Sequence, residues 1–283
     1  MSGLVDTVKN YVGSLTWDET PLTFIISFTA LVLFDVLFAR SLYDVVPTSA
    51  NKKPGKRKPQ KSRWFAIHTF ANLIVCIASI KPFFITLIDP AHSADGIKYS
   101  DTSIFGEGTQ FPLVVIITVH FYHMVMFDDL SSADYFHHLM FIPTMGVPGL
   151  MYPWGPAQSF LCFFISGLPG GIEYFFLTLS KLGFVTDRSF LKKVAALQNT
   201  WIRWPGILLG SYNIYMGWVY GWCVARWYWA FFIGGLSSFN AVYYGFQAIS
   251  AQTKDSIVSQ YKREGPKMFE NSGRSIKVNR PGS

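Results

Sequence analysis

Residues 64–88 read WFAIHTFANLIVCIASIKPFFITLI, an apolar run whose only ionisable side chains are His68, Cys76 and Lys81. A helix rises about 1.5 Å per residue, so a run of this length covers the roughly 30 Å hydrocarbon layer of a bilayer. The stretch reads as a transmembrane helix. Working outward, comparable runs at 22–43, 111–127, 133–152, 158–181, 201–224 and 227–250 bring the expectation to about seven crossings in an all-α, polytopic membrane protein. The first is interrupted only by Asp35 and Arg40. Pro143, Gly146, Pro148 and Gly149 fall in the fourth, and Gly167-Leu168-Pro169-Gly170-Gly171 in the fifth. Both should be kinked or broken, with neighbouring helices satisfying the freed carbonyls. Trp and Tyr crowd the ends of the last two runs as interfacial anchors.

Composition supports this reading. Of 283 residues, 50% are apolar, 17% aromatic and 14% charged, with mean hydropathy +0.27. A soluble domain carries about a quarter charged residues. Cys76, Cys162 and Cys223 all fall in apolar stretches with no CxxC pair, which excludes a disulfide-stapled scaffold. The net charge of +7 suggests nucleic acid at first, but the basic residues lie between and after the apolar runs and serve no recognition motif, so nucleic acid is not an expected partner.

The charges set orientation instead. Between the first two runs stand Lys52, Lys53, Lys56, Arg57, Lys58, Lys61 and Arg63 with no acid among them, whereas the next loop carries Asp89, Asp95, Asp101 and Glu107 against Lys98. Basic loops stay cytosolic. The connection with Lys181, Arg188, Lys192, Lys193 and Arg203 agrees, as does the tail with Lys254, Lys262, Arg263 and Lys267. The expected layout is a lumenal N-terminal segment (1–20), a first transmembrane helix (21–45), a basic cytosolic linker (46–63), a transmembrane domain (64–250) and a polar cytosolic tail (251–283) with little order. Asp6, Lys9, Asp18 and Glu19 argue against a signal peptide, while Leu4, Val5, Val8, Tyr11, Val12 and Leu15 recur at the spacing of an amphipathic helix on the membrane surface.

Histidine carries the chemical signal. Of 6 histidines only His92 lies in a loop; His68, His120, His123, His137 and His138 fall in or beside runs two to four. Ionisable groups at membrane depth face a bundle interior or a wet cavity, because facing lipid costs several kcal/mol. His120 and His123 share a helix face, and Asp134 precedes His137 and His138 at a spacing suited to fixing an imidazole tautomer. Taken singly, each histidine reads as an interhelical hydrogen bond; five together read as a site. A di-iron oxygenase would spread more histidine boxes through the later runs, and retinal would need a lysine in the last run, which has none. Acyl transfer needs one imidazole positioned by a second polar group to take a proton as a hydroxyl or amine attacks a thioester, and the inventory permits it. No metal or cofactor is expected; acyl-CoA would be a substrate of such a reaction.

The string YHMVMFDDLSSADYFHHLMFIPTMGVPGL at 122–150 resembles the TLC domain family, which includes ceramide synthases and translocating-chain-associating proteins. The family's acidic residue closing one span corresponds to Asp128 or Asp129, its histidine pair opening the next to His137-His138, and its later Glu with an aromatic-leucine segment to Glu173 through Leu179. The resemblance covers roughly 63–250. It implies a six-helix barrel around a lipid-sized cavity plus one extra N-terminal helix, an endoplasmic reticulum address, and His137, His138, His120 and Glu173 facing inward. His137 and His138 would be the catalytic candidates, with His120, His123, Asp128, Asp134, Glu173 and Lys81 as lipid-binding candidates. Ceramide synthases carry an HDxxD-type motif in the following span; here that span has no histidine and Glu173 as its only acid, so the likeness is to the uncharacterised, lipid-related branch.

Other polar residues have plainer readings. Lys81 is expected to snorkel to the lumenal interface, with Glu173 or a headgroup as the alternative partner. Asp35 and Arg40, five apart, suit separate partners better than each other. Tyr212, Tyr215, Trp218, Tyr220 and Trp222 make the run at 201–224 unusually aromatic, which suits belt anchoring or a partner membrane subunit.

Overall fold

The computed structural model describes residues 20–45, 61–128 and 130–265, without the side chains of Ala133 and Asp134. The amphipathic segment at 1–20 (save Thr20), most of the linker at 46–63, Asp129 and the tail beyond Gly265 lie outside the described residues. Among the described residues there are helices and turns and no strands. The helices are α1 (Thr20–Leu37), α2 (Lys61–Ile88), α3 (Phe111–Met126), α4 (Ser132–Phe141), α5 (Val147–Met151), α6 (Pro156–Cys162), α7 (Leu168–Lys181), α8 (Arg188–Gln198), α9 (Trp204–Val219) and α10 (Trp227–Glu264). Single π-helical turns at Ile142–Gly146, Phe163–Gly167 and Asn199–Arg203 join α4 to α5, α6 to α7 and α8 to α9, so ten helices less three joints make seven rods. Among the described residues three stretches are long and apolar enough to cross a membrane: Thr20–Ser41 (22 residues), Lys61–Ile88 (28 residues) and Pro156–Lys181 (26 residues). By length and composition these make the protein membrane-embedded.

The three π turns share one sequence cause. Each is followed, two residues on, by a Pro-Gly pair: Pro148-Gly149, Pro169-Gly170 and Pro205-Gly206. Proline removes a donor and crowds the carbonyl four residues back, and a widened turn there relieves the crowding. The glycine then admits a neighbour. A Cβ on Gly170 would lie 2.7 Å from Asn72 Nδ2, and one on Gly206 would lie 2.2 Å from the Phe164 ring.

α2 packs along α7, α3 and α6, α1 lies chiefly against α3, and α10 lies against α9 and α8. One core, with Leu31, Ile67, Val75, Val115 and Tyr122, joins α1, α2 and α3. A second, with Trp154, Leu161, Ile207, Ile214 and Ile233, joins α6, α9 and α10. At one end of the bundle Asp44 receives the Lys61 and Ser62 amides at 3.1 and 2.8 Å, which caps α2. At the other end, Asp89 accepts from Lys98 and from the Tyr99 hydroxyl at 2.9 Å, with His92 Nδ1 also at 2.9 Å. The Lys98 ammonium holds the Asp89 carboxyl below the usual carboxylate range.

Three expectations change. The rod expected at 201–224 starts at Arg188, capped by the Asp187 carboxylate on the Ser189 and Phe190 amides, and its helix ends at Val219. Its first part is amphipathic and charged, so a search for apolar runs passes over it. α10, expected to stop near Ser250, continues to Glu264, where Gly265 at φ +60° ends it; Lys192 pairs with Asp255 at 2.5 Å and ties the extension to α8. Asp35 and Arg40 do meet, at 3.1 Å, because α1 ends at Leu37 and the tight turn Ala39–Ser41 swings Arg40 back.

Candidate functional site

α2, α3 and α4 bring five imidazoles together. His68 and His123 have ring centres 4.4 Å apart; those of His120 lie 5.3 Å from His137 and 4.9 Å from His138, and His137 and His138 are 5.8 Å apart. His68, His120, His123 and His138 are buried and His137 is half-buried. Aromatic rings wall the group. Trp64 stacks on His123 at 3.8 Å, Tyr174 on His68 at 4.1 Å and Phe141 on His120 at 4.8 Å.

Hydrogen bonds orient His120 and His137. His120 Nδ1 lies 2.6 Å from the Ile116 carbonyl, which can only accept, so that nitrogen carries the proton. In neutral His120 the other nitrogen, Nε2, is then an acceptor, and it lies 3.3 Å from His137 Nε2. His137 therefore donates from Nε2 and keeps a lone pair on Nδ1. Both ring nitrogens of His123 are buried without a hydrogen-bond partner. Among the described residues no three His, Cys, Asp or Glu side chains converge as ligands for one metal ion.

Beside this cluster a buried carboxylate fastens α1. Asp35 takes Arg63 Nε at 2.7 Å and Nη2 at 2.6 Å, and the Tyr122 hydroxyl at 2.7 Å. Arg63 also lies over the Phe127 ring at 4.3 Å, and Phe127 packs edge-on against Trp64.

Phe141 also lines a partly open apolar pocket that encloses about 30 Å³ of water-sized room. Its wall includes Leu113, Ile116, Met145, Leu161, Ile214 and Ile233, drawn from both cores, with Gln158 and Ser237 as polar members. Phe141 is thus shared between the pocket wall and the histidine cluster, where it stacks on His120.

The candidate residues do not all gather here. His137, His138, His120 and His123 do; His68, Trp64 and Tyr174 join them, and only His68 among these three stood out in the sequence, by being ionisable at membrane depth. Glu173 is half-buried and pairs toward the α8–α9 rod: its carboxylate receives Gln198 Nε2 at 3.3 Å and lies 4.0 Å from Arg203. This direction follows from Tyr174 taking the position against His68, which turns its neighbour toward that rod. Lys81 pairs with Glu107 of the 89–110 loop at 2.6 Å, not with Glu173 or the histidines. Asp128 is exposed in the α3–α4 connection. The side chain of Asp134 lies outside the described residues.

No protein-family model, curated protein or solved structure matches the chain.

Proposed function

We propose that this is a TLC-like membrane protein that holds a lipid or acyl chain in the cavity beneath Phe141, with the histidine cluster at the chain's polar end. One observation carries the reading: an apolar pocket is lined in part by Phe141, whose ring stacks on His120. The pocket wall is mostly apolar with Gln158 and Ser237 as placed polar groups, the composition usual for small-molecule sites. If the bound chain carries an acyl thioester such as acyl-CoA, His137 is the residue suited to chemistry, since it is the half-buried member of the cluster and an imidazole can take the proton of an attacking hydroxyl or amine. His120 positions it. The remaining rods would complete about seven crossings, with the Lys- and Arg-rich connections and the C-terminal end of α10 in the cytosol. An endoplasmic reticulum address rests on the TLC resemblance.

A second reading, a non-catalytic subunit of a larger assembly, draws on Tyr212, Tyr215 and Tyr220, which stand exposed on or beside α9. It favours a bundle whose aromatics fill the interior, and leaves the apolar pocket beside Phe141 without a role. Native mass spectrometry of the detergent-solubilised protein separates the two. The lipid reading expects copurified lipid that is displaced by Leu161→Trp, which fills the cavity, and reduced by the double variant His137→Ala, His138→Ala. Absence of lipid together with obligatory copurification of other chains would overturn it.

A further inference from the structure

Among the described residues, Lys and Arg close tightly on their carboxylates with one exception. Arg40, Arg63, Lys81, Lys98 and Lys192 each reach one within 3.1 Å, whereas Arg203 and Glu173 stand 4.0 Å apart. Each charge of this open pair is held by an amide instead. Arg203 Nη1 donates to Asn199 Oδ1 at 3.1 Å, and the Glu173 carboxylate accepts from Gln198 Nε2 at 3.3 Å. The π turn Asn199–Arg203 brings Gln198 and Arg203, five positions apart, onto one face. Arg203 Nε has no partner, so the guanidinium fork is only partly filled.

The pair lies at the depth of lipid headgroups. Ser211 bonds to Gly234 and Ser238 of α10, and Lys192 pairs with Asp255, so α8 and α9 run antiparallel to α10 in a register that sets Arg203 level with Tyr244. Counted from Trp227, the roughly 20 residues of a bilayer crossing end near Phe246, which puts Tyr244 and Arg203 at the edge of the hydrocarbon layer. The site is open there. The Glu173 side chain is 36% exposed and Tyr244 39%, while the Arg203 side chain behind them is 11% exposed.

We infer that Arg203 and Glu173 together bind the zwitterionic headgroup of a phospholipid, its phosphate on the guanidinium and its ammonium on the carboxylate. Arginine pairs with phosphate through its fork, and both contacts are charge-assisted. A ligand that is only anionic would be repelled by Glu173, whereas the two charges of the site cancel as those of the headgroup do. Headgroups stand at this depth in any bilayer, so the site needs no tunnel. The inference rests on α10 crossing the membrane, as in the layout proposed above, and is independent of the pocket beside Phe141.

An open site exchanges its lipid with detergent, so it is read by adding lipid back. The full-length protein, delipidated in nonionic detergent, is titrated with dioleoyl phosphatidylcholine, phosphatidylethanolamine, phosphatidylglycerol and diacylglycerol and followed by native mass spectrometry. A zwitterionic lipid should bind about tenfold more tightly than either of the other two, the ratio expected for one charge-assisted hydrogen bond kept against one lost. Glu173→Gln leaves the site net positive, so phosphatidylglycerol should gain about tenfold, a change that misfolding cannot produce. Arg203→Gln should weaken both zwitterionic lipids about tenfold. If the four lipids keep one order in the wild type and both variants, the pair is an interhelical contact only and the inference falls. Leu161→Trp, which fills the pocket, should leave the order unchanged; loss of the order would assign it to the pocket and overturn the inference. Impermeant thiol labelling of Tyr220→Cys and Ser259→Cys in vesicles checks the crossing by itself. Labelling of both from one face would overturn the layout and the inference with it.

Discussion

The carboxylate of Asp35 decides whether α1 belongs to the bundle or merely lies against it. Asp35 is 0% exposed and receives two bonds from Arg63, itself 16% exposed, one from Tyr122 and one from Arg40, whose side chain is 49% exposed. Arg40 is screened and contributes little. The other three bonds cross from α1 to α2 and α3. Asp35→Ala leaves the Arg63 guanidinium buried without its counter-charge, which costs about 3–5 kcal/mol. At about 2–4 °C per kcal/mol, the lower bound alone predicts a fall in the unfolding midpoint of about 6–12 °C. The assay is thermal unfolding of the purified protein in one detergent, followed by tryptophan fluorescence. A double variant sharpens it: Asp35→Leu with Arg63→Met removes both charges, and replacing a buried pair with apolar groups is close to neutral, so the double variant should recover most of the loss. A shift under about 2 °C for Asp35→Ala, or a double variant no better than the single, would refute the reasoning.

The other predictions follow from equally local features. Gly206→Ala puts a methyl 2.2 Å from the Phe164 ring and should cost about 1–3 kcal/mol, seen as a lower unfolding midpoint, with Phe164→Leu offsetting part of it. Lys98 depresses the Asp89 carboxyl in the folded state, so the clamp's contribution is intact above the unfolded value near about 3.9 and is lost as pH falls below it. Hydrogen exchange across residues 89–110 should accelerate below about pH 4 in the wild type, and Asp89→Asn should exchange fast at neutral pH with that acid-dependent step gone. Leu161→Trp should leave the protein folded by circular dichroism and free of copurified lipid; retained lipid would place the ligand elsewhere.

Much of the fold was legible because membrane helices announce themselves by length and apolarity. The stretches at 64–88 and 158–181 needed no other information, and the Pro-Gly pairs at 148–149 and 169–170 marked helices that would not be straight. The boundary errors share a cause. Residues 188–198 and 251–264 are charged helices continuous with apolar ones, so hydropathy stops where the helix does not. At the site, the histidines were visible because an ionisable group is conspicuous in an apolar run. Direction was not visible: Glu173 looked like the natural counter-group, but a helix turns about 100° per residue, and the face that presents Tyr174 to His68 carries Glu173 toward Arg203. Asp35 with Arg63 was hidden for a different reason, since the partners stand 28 positions apart and meet only once α1 and α2 pack.

Phe141 links the two halves of the proposal and makes them separable. It follows His137 by one helical turn on α4, stacks on His120 behind it, and forms part of the cavity wall in front. A bound chain that fills the pocket must press on this ring, and the ring stacks on an imidazole whose Nε2 lies against His137. Occupancy of the apolar space and the geometry of the nearest candidate base are thereby coupled through one side chain. Phe141→Ala should join the cavity to the histidine layer. If the cluster acts on the ligand, this variant keeps lipid bound and alters the titration of His137, measured by NMR of selectively labelled histidine. If the histidines only pack, lipid binding and stability change together and the His137 titration does not move.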